Sequence, residues 1–217
     1  MNIVIADDHA VVRQGYASLL SVMLDDCTTI EAGSGEEACT VYQSAAPDLL
    51  ILDVNLPGIS GIETARRILQ RDPEARILFF SMYDEIPLVQ QALDTGAKGY
   101  ITKNSSPDIL LDAVKKVSLG NVYVEHELAM RLAMQRPEQV DARLQEMTQR
   151  EFEIFVMLAR GLSTKAIAEQ LCISAKTVAN YTAMLKSKLD VASTAELVHL
   201  AIETGVIRVG ATEEVAH

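Results

Sequence analysis

No run in the sequence approaches the roughly 18 consecutive apolar residues that a membrane-spanning helix needs. The first ten residues, MNIVIADDHA, lack the basic stretch of a secretory signal and place two acids where such a signal is apolar. A cytoplasmic protein without a membrane partner is therefore expected. Cysteine is scarce too: Cys27, Cys39 and Cys172 are odd in number and show no C-x-x-C spacing. That points away from a disulfide framework or a zinc site and leaves three reduced, mostly buried thiols. Internal repeats and low-complexity tracts are missing. Positive charge is also in short supply, the net formal charge being -11, which taken alone argues against a nucleic-acid partner.

The distribution of charge changes that reading. Residues 1–120 hold 9 Lys and Arg against 17 Asp and Glu, whereas residues 146–217 hold 7 against 9. Within 154–189, Arg160, Lys165, Lys176, Lys186 and Lys188 face the single acid Glu169, so a local basic island survives. At 217 residues and 49% hydrophobic, the chain has the size and composition of two ordinary domains.

Short apolar runs at 3–6, 49–52 and 77–80, the pair Tyr100 and Ile101, and a weaker stretch at 28–31 are too brief for helices. They do not alternate with polar residues, as befits strands buried on both faces of a parallel sheet. Between them lie segments of helical spacing at 11–24, 36–44, 62–70, 88–95 and 109–117. In the last, Ile109, Leu110, Ala113, Val114 and Val117 recur three and four apart. Five βα units predict an α/β, doubly wound sheet built from right-handed crossovers. Turn signals at Pro57-Gly58, Gly61 and Asp94-Thr95-Gly96 agree with these limits.

The first domain is thus expected over 1–120. A partly helical linker follows at 121–145, rich in Gln, Arg and Glu, with a short helix at 127–134. Residues 146–208 carry only helical signals, at 149–159, 164–170, 175–189 and 194–204, and 209–217 is a tail. Thr148 and Glu151 form a capping box that marks a helix start.

Ligands of a doubly wound sheet bind beyond the carboxyl ends of its strands. The residues there are Asp7 and Asp8 after the first strand, Asp53 on the third, Ser81 after the fourth and Lys103 after the fifth. Taken singly, each is an ordinary loop or surface residue; five compatible groups at successive strand ends make a site. Close carboxylates resist joint ionisation unless a cation neutralises them, and Mg2+, a hard ion preferring oxygen, suits this set better than zinc. Mg2+ with Lys103 would stabilise a phosphoryl group in flight to Asp53. A nucleotide fold would need a Gly-rich turn where Asp7-Asp8-His9 stands, and Gly33-Ser34-Gly35 is too short to supply one. A D-x-D phosphatase would need a general acid where Asn55 stands.

Asp7-Asp8, Asp53 followed by Leu56-Pro57-Gly58 and Gly61, Ser81, and Lys103 resemble the receiver domains of two-component signalling. The resemblance implies a flavodoxin-like (βα)5 fold and Mg2+ held by Asp8, Asp53 and the carbonyl of Asn55, with Asp7 in support. It further implies that Asp53 accepts phosphate from a histidine kinase and that Ser81 and Tyr100 form the hydroxyl–aromatic pair that reorients. The protein would then be a regulator and not an enzyme.

Residues 164–170, the turn at Cys172-Ile173-Ser174 and the helix capped by Ser174 read as a helix-turn-helix, with a helical bundle for protein contacts as the alternative. The segments MTQRE at 147–151, GLSTKAIA at 161–168 and SAKTV at 174–178, with Lys188-Leu189 and Glu196-Leu197, are similar to LuxR-type output domains. With the receiver, this resembles the NarL/FixJ class of response regulators. The resemblance implies that a dimer binds double-stranded DNA, with the last helix near 195–202 contributing to pairing.

Residues three and four apart share a helix face, so either Lys176, Asn180 and Met184 or Thr177, Tyr181 and Lys188 face DNA. Asn180 suits adenine, whereas Lys165, Lys176, Lys186 and Lys188 suit phosphates; Thr164 joins them at the start of the preceding helix. Ala179 and Ala183, small where the class is commonly basic, suit thymine methyl groups. Phosphorylation is expected to favour the dimer. The alternative is a phosphorylation-independent DNA-binding or interaction protein that uses the receiver as a scaffold.

Overall fold

The stretch Leu49–Leu52 offers no polar face to water, so the strand it forms must be covered on both sides. In the computed structural model, which describes residues 1–134, 141–145, 147–171 and 173–207, it lies inside a parallel sheet. The chain divides into two units, Met1–Met134 and Gln135–His217. The first runs β1 (Asn2–Ala6), α1 (Ala10–Met23), β2 (Thr28–Ala32), α2 (Gly35–Ala45), β3 (Leu49–Leu52), α3 (Gly61–Arg71), β4 (Ile77–Ser81), α4 (Ile86–Leu93), β5 (Gly99–Thr102), α5 (Pro107–Ser118), β6 (Tyr123–Val124) and α6 (His126–Met134). The strand order is β2-β1-β3-β4-β5-β6, every pair parallel.

Side chains alternate across each strand, and in the central strands β1, β3, β4 and β5 both sets are largely buried. Ile3, Ile5, Ile51, Leu78, Phe80 and Ile101 pack with Leu20 of α1 and with Leu110, Val114 and Val117 of α5. Their neighbours Val4, Leu50, Leu52, Phe79 and Tyr100 are buried from the other side. The expected α/β doubly wound architecture is therefore present.

Two features depart from the sequence reading. The segment read as the start of a linker supplies a sixth strand, β6, paired to β5 in the register Gly99↔Tyr123 and Tyr100↔Val124. Two residues carry no periodicity, so only pairing to the edge of β5 defines them. Secondly, not all crossovers share one hand. α1 and α5 cover the same face, yet β2 lies to one side of β1 and β6 to the opposite side of β5. With all strands parallel, those two connections have opposite hands, and β5-α5-β6 is the exception to the right-handed rule.

The second unit contains α7 (Ala142–Gln145), α8 (Gln149–Ala159), α9 (Thr164–Gln170), α10 (Ala175–Leu189) and α11 (Thr194–Glu203). α8 packs against α9, α10 and α11, and buries Phe152 and Phe155 completely. Thr148, Ser163, Ser174 and Ser193 each cap the helix that follows, accepting from the N–H three residues on. The capping box of Thr148 and Glu151 is formed in both directions.

Cys27 and Cys39 are free thiols but only half-buried, because they lie beside the edge strand β2 and on the outer part of α2 and not in the core. Cys172, residues 135–140, 146 and 208, and the tail at 209–217 lie outside the described residues. No helix among the described residues is long and apolar enough to cross a membrane.

Gly61 opens α3 where the helix backbone meets the end of β3: a Cβ built there would stand 1.9 Å from the Asp53 carbonyl oxygen. Gly61→Ala is expected to lower the unfolding free energy by about 1–3 kcal/mol, as overpacking does. Urea denaturation of the full-length variant measures this.

Candidate functional site

Parallel pairing sets Ala6 beside Leu52, Leu52 beside Phe79 and Ser81 beside Thr102, so the four strands end together. The Asp53 N–H donates to the Ala6 carbonyl at 2.9 Å and the Lys103 N–H to the Ser81 carbonyl at 2.8 Å. Asp7, Asp53, Ser81 and Lys103 consequently converge at one end of the sheet. The Lys103 Nζ lies 2.6 Å from Asp7 Oδ2 and 2.5 Å from Asp53 Oδ2, and all three side chains are less than a tenth exposed. The remaining Asp7 oxygen accepts the His9 N–H at 2.9 Å, and that of Asp53 accepts the Asn55 N–H at 3.2 Å.

One ammonium serves two buried carboxylates. Burial pushes the Asp53 carboxyl up, and the adjacent Lys103 offsets part of that rise, with the Asp7 charge adding to it. Burial disfavours the charge on Lys103, but Asp53 and Asp7 outweigh it and hold the ammonium above its ordinary value. Asp8 is a third exposed, and its Oδ1 is 2.6 Å from His9 Nδ1. Carboxylate and imidazole atoms of Asp7, Asp8 and His9 lie within 4.8 Å of one another, a group that could hold a cation. Three carboxylates against one ammonium leave two negative charges. That charge and the oxygen donors fit a hard divalent ion such as Mg2+.

In the second unit, α9 and α10 follow one another in the chain and pack on each other. Along α10 the buried positions are Val178, Leu185 and Leu189. Lys176, Ala179, Asn180, Ala183 and Met184 are exposed on the opposite face. Residues 3–115 match the response regulator receiver domain, and residues 145–201 match the bacterial regulatory proteins of the luxR family. The chain belongs to the LuxR-type response regulators.

Relatives extend over nearly the whole chain. The transcriptional activator protein ExaE of Pseudomonas putida is 53% identical over 214 residues, covering 97% of this chain and 100% of its own. The response regulator UvrY of Escherichia coli is 31% identical, with 95% of each chain covered. A solved LuxR-family response regulator from Aurantimonas sp. is 35% identical with TM-score 0.58, over 61% of this chain and 94% of that one. RcsB of Salmonella typhimurium shares the fold, with TM-score 0.59 at 23% identity over 92% of this chain and 98% of that one.

In this response regulator Ser81 and Tyr100 meet at the loop between β4 and α4. The Tyr100 hydroxyl donates to the Tyr83 carbonyl at 2.7 Å, and the Tyr83 N–H donates to Ser81 Oγ at 3.4 Å. Both side chains are fully buried, and burial raises the Tyr100 phenol well above its ordinary value. Asn55 reaches Asp53 through its main-chain N–H.

Several contributors escaped the sequence reading. Arg13 of α1 donates from Nη1 to the Asp7 carbonyl at 2.6 Å and from Nε to Glu31 at 2.8 Å, clamping the turn that carries the acids. Its signal, a lone Arg on a helix, is indistinguishable in sequence from a surface charge. His9 was seen only as part of a turn.

Of the two proposed DNA-facing sets, Lys176, Asn180 and Met184 are exposed, while Thr177, Tyr181 and Lys188 are half-buried. The Thr177 and Ser174 hydroxyls are 2.8 Å apart, and Lys188 Nζ pairs with Glu151 of α8 at 2.8 Å. Burial raises the Glu151 carboxyl, but Lys188 and the Thr148 N–H outweigh it and hold it low. Thr164 and Lys165 are exposed, Lys165 lying 3.9 Å from Glu169, and Lys186 is half-buried.

Lys103→Met leaves two buried carboxylates uncompensated, a loss of about 3–5 kcal/mol at pH 7.5 without divalent ions. A carboxyl raised in the folded state stabilises it below the ordinary carboxylate range, and this is lost as pH rises through the raised value. The deficit of Lys103→Met is therefore expected to shrink as pH falls, which urea unfolding from pH 7.5 down to 4.5 measures.

Proposed function

We propose that Asp53 is the phosphoacceptor and that its phosphorylation by a histidine kinase, in the cytoplasm, drives dimerisation and sequence-specific DNA binding. The observation that carries this reading is the pair of contacts from Lys103 to Asp53 and Asp7. An ammonium already in contact with the acceptor oxygen is placed to meet the charge of an incoming phosphoryl group. Mg2+, held by Asp8, Asp53 and the Asn55 carbonyl with Asp7 in support, would neutralise the excess negative charge there. Phosphate on Asp53 would then engage Ser81 and Lys103. Because Ser81 and Tyr100 share the main chain of Tyr83, movement at one would be felt by the other.

For DNA, the exposed stripe of α10 is the reading surface: Asn180 suits adenine and Met184 apolar contact, with Ala179 and Ala183 against thymine methyls. Thr164, Lys165, Lys176 and Lys186 would meet phosphates. Lys188, tied to Glu151, serves the fold in preference to the DNA, and Thr177 and Tyr181 flank the stripe. A solved structure of RcsB dimers bound to DNA supports pairing in this family. The outer face of α11, with Ala195, His199 and Ile202 exposed, is the surface assigned to it. Activation of transcription is the sense adopted, after the named activity of the 53% identical relative.

Acetyl phosphate with Mg2+ is expected to label wild type with acid-labile phosphate and leave Asp53→Ala unlabelled, with a labelled dimer seen in sedimentation. An unlabelled wild type would favour the scaffold alternative. In mobility-shift titrations on mapped sites, Lys176→Ala should reduce the slope of log K against log salt by about 1, and Asn180→Ala should cost about 1–3 kcal/mol at its base. Lys188→Ala should lower stability and leave that slope unchanged.

A further inference from the structure

The ladder between β5 and β6 stops at Glu125, whose N–H donates to the Tyr100 carbonyl at 3.2 Å. The next outward donor of β5 is the Thr102 N–H. No strand carbonyl meets it; the Glu125 side chain does, with Oε2 at 3.1 Å. The same oxygen takes the Ser105 hydroxyl at 2.7 Å and lies 3.2 Å from the Thr102 hydroxyl, and the two hydroxyls are 3.0 Å apart. Each hydroxyl has a single proton, so Ser105 donates to Glu125 while Thr102 donates either to Ser105 or to the carboxylate.

Lys103 lies between these two residues. On the β4 side its N–H is bound to Ser81, and on the β6 side its neighbours are held by Glu125. A Lys ammonium rides on a flexible stem with large rotamer freedom, so the main chain beneath it decides how well it is aimed. Glu125 belongs to the segment that leads towards the DNA-binding unit, outside the stretch matched to the receiver family.

We propose that Glu125 is a positioning residue for Lys103. By fixing Thr102 and Ser105, it sets where the ammonium stands relative to Asp53 and Asp7, so that the phosphoacceptor site is completed by the connecting segment. This rests on the reading of Asp53 as phosphoacceptor.

The test uses the full chain, Mg2+ and acetyl phosphate, whose phosphoryl group passes to an Asp53 oxygen while acetate leaves. Glu125→Ala is expected to slow labelling at saturating Mg2+ by about 10- to 100-fold, the effect of a small misplacement of a reacting group. Mg2+ affinity by calorimetry should not change. Glu125→Gln, which keeps one carbonyl acceptor, should restore most of the rate. Because Glu125 acts through Lys103, the double variant with Lys103→Ala should be no slower than Lys103→Ala alone. Labelling of Glu125→Ala at the wild-type rate, or losses that multiply in the double variant, would overturn the proposal.

Where Glu125→Ala does not fold, Ser105→Ala removes its shortest contact and must show the same non-additivity. If wild type takes no label, the phosphoacceptor reading falls by itself. The Glu125–Lys103 cycle measured in urea unfolding then decides: non-additive losses uphold positioning, and additive losses reject it.

Discussion

A single ammonium shared by two buried carboxylates is the constraint around which the receiver is arranged. Lys103 stands 96 residues from Asp7 and 50 from Asp53 in sequence, so their meeting requires the strands that carry them to end together. The parallel order β1-β3-β4-β5 does this with each strand's main chain holding the next. Charge buried in this way contributes little net stability, because desolvation of the ions offsets their attraction. What it contributes is incompleteness. The site has more negative charge than it can satisfy, and the unmet part has the sign and size that a divalent cation would supply.

Much of this was legible in the chain. Leu49–Leu52 and Ile77–Ser81 declare themselves as buried strands by lacking a polar face, and the acids stand at their ends because loops tolerate Asp. Helix limits shifted by one or two residues, α4 starting at Ile86, where Pro in the first turn is a better guide than the apolar period. The less legible parts all depend on tertiary pairing. Arg13, Glu125 and Lys188 are ordinary surface charges in sequence, and each becomes a strut only when a distant partner is brought to it: the Asp7 carbonyl to Arg13, the Thr102 N–H to Glu125 and the Glu151 carboxylate to Lys188.

The C-terminal unit illustrates the same point from the other side. Counting bases in 154–189 points to a local basic island, but Lys188 pairs with Glu151 and the exposed stripe of α10 retains Lys176 among Ala, Asn and Met. Such a stripe offers shape and a few hydrogen-bonding groups more than charge, in keeping with an acidic protein. Its orientation depends on the core beneath, where Val178, Leu185 and Leu189 are buried, and on the serine caps that fix where each helix begins.

β6 has a further consequence for the boundary of the receiver as an independent piece. Cut at Gly120, the sheet would present β5 as a bare rim, with the main-chain groups of Lys98, Tyr100 and Thr102 open to any passing strand. Such rims template association between chains. Two residues and one carboxylate close it, at the expense of a connection of uncommon hand. An isolated fragment ending at that glycine would be prone to stick to its own copies through the rim that β6 covers.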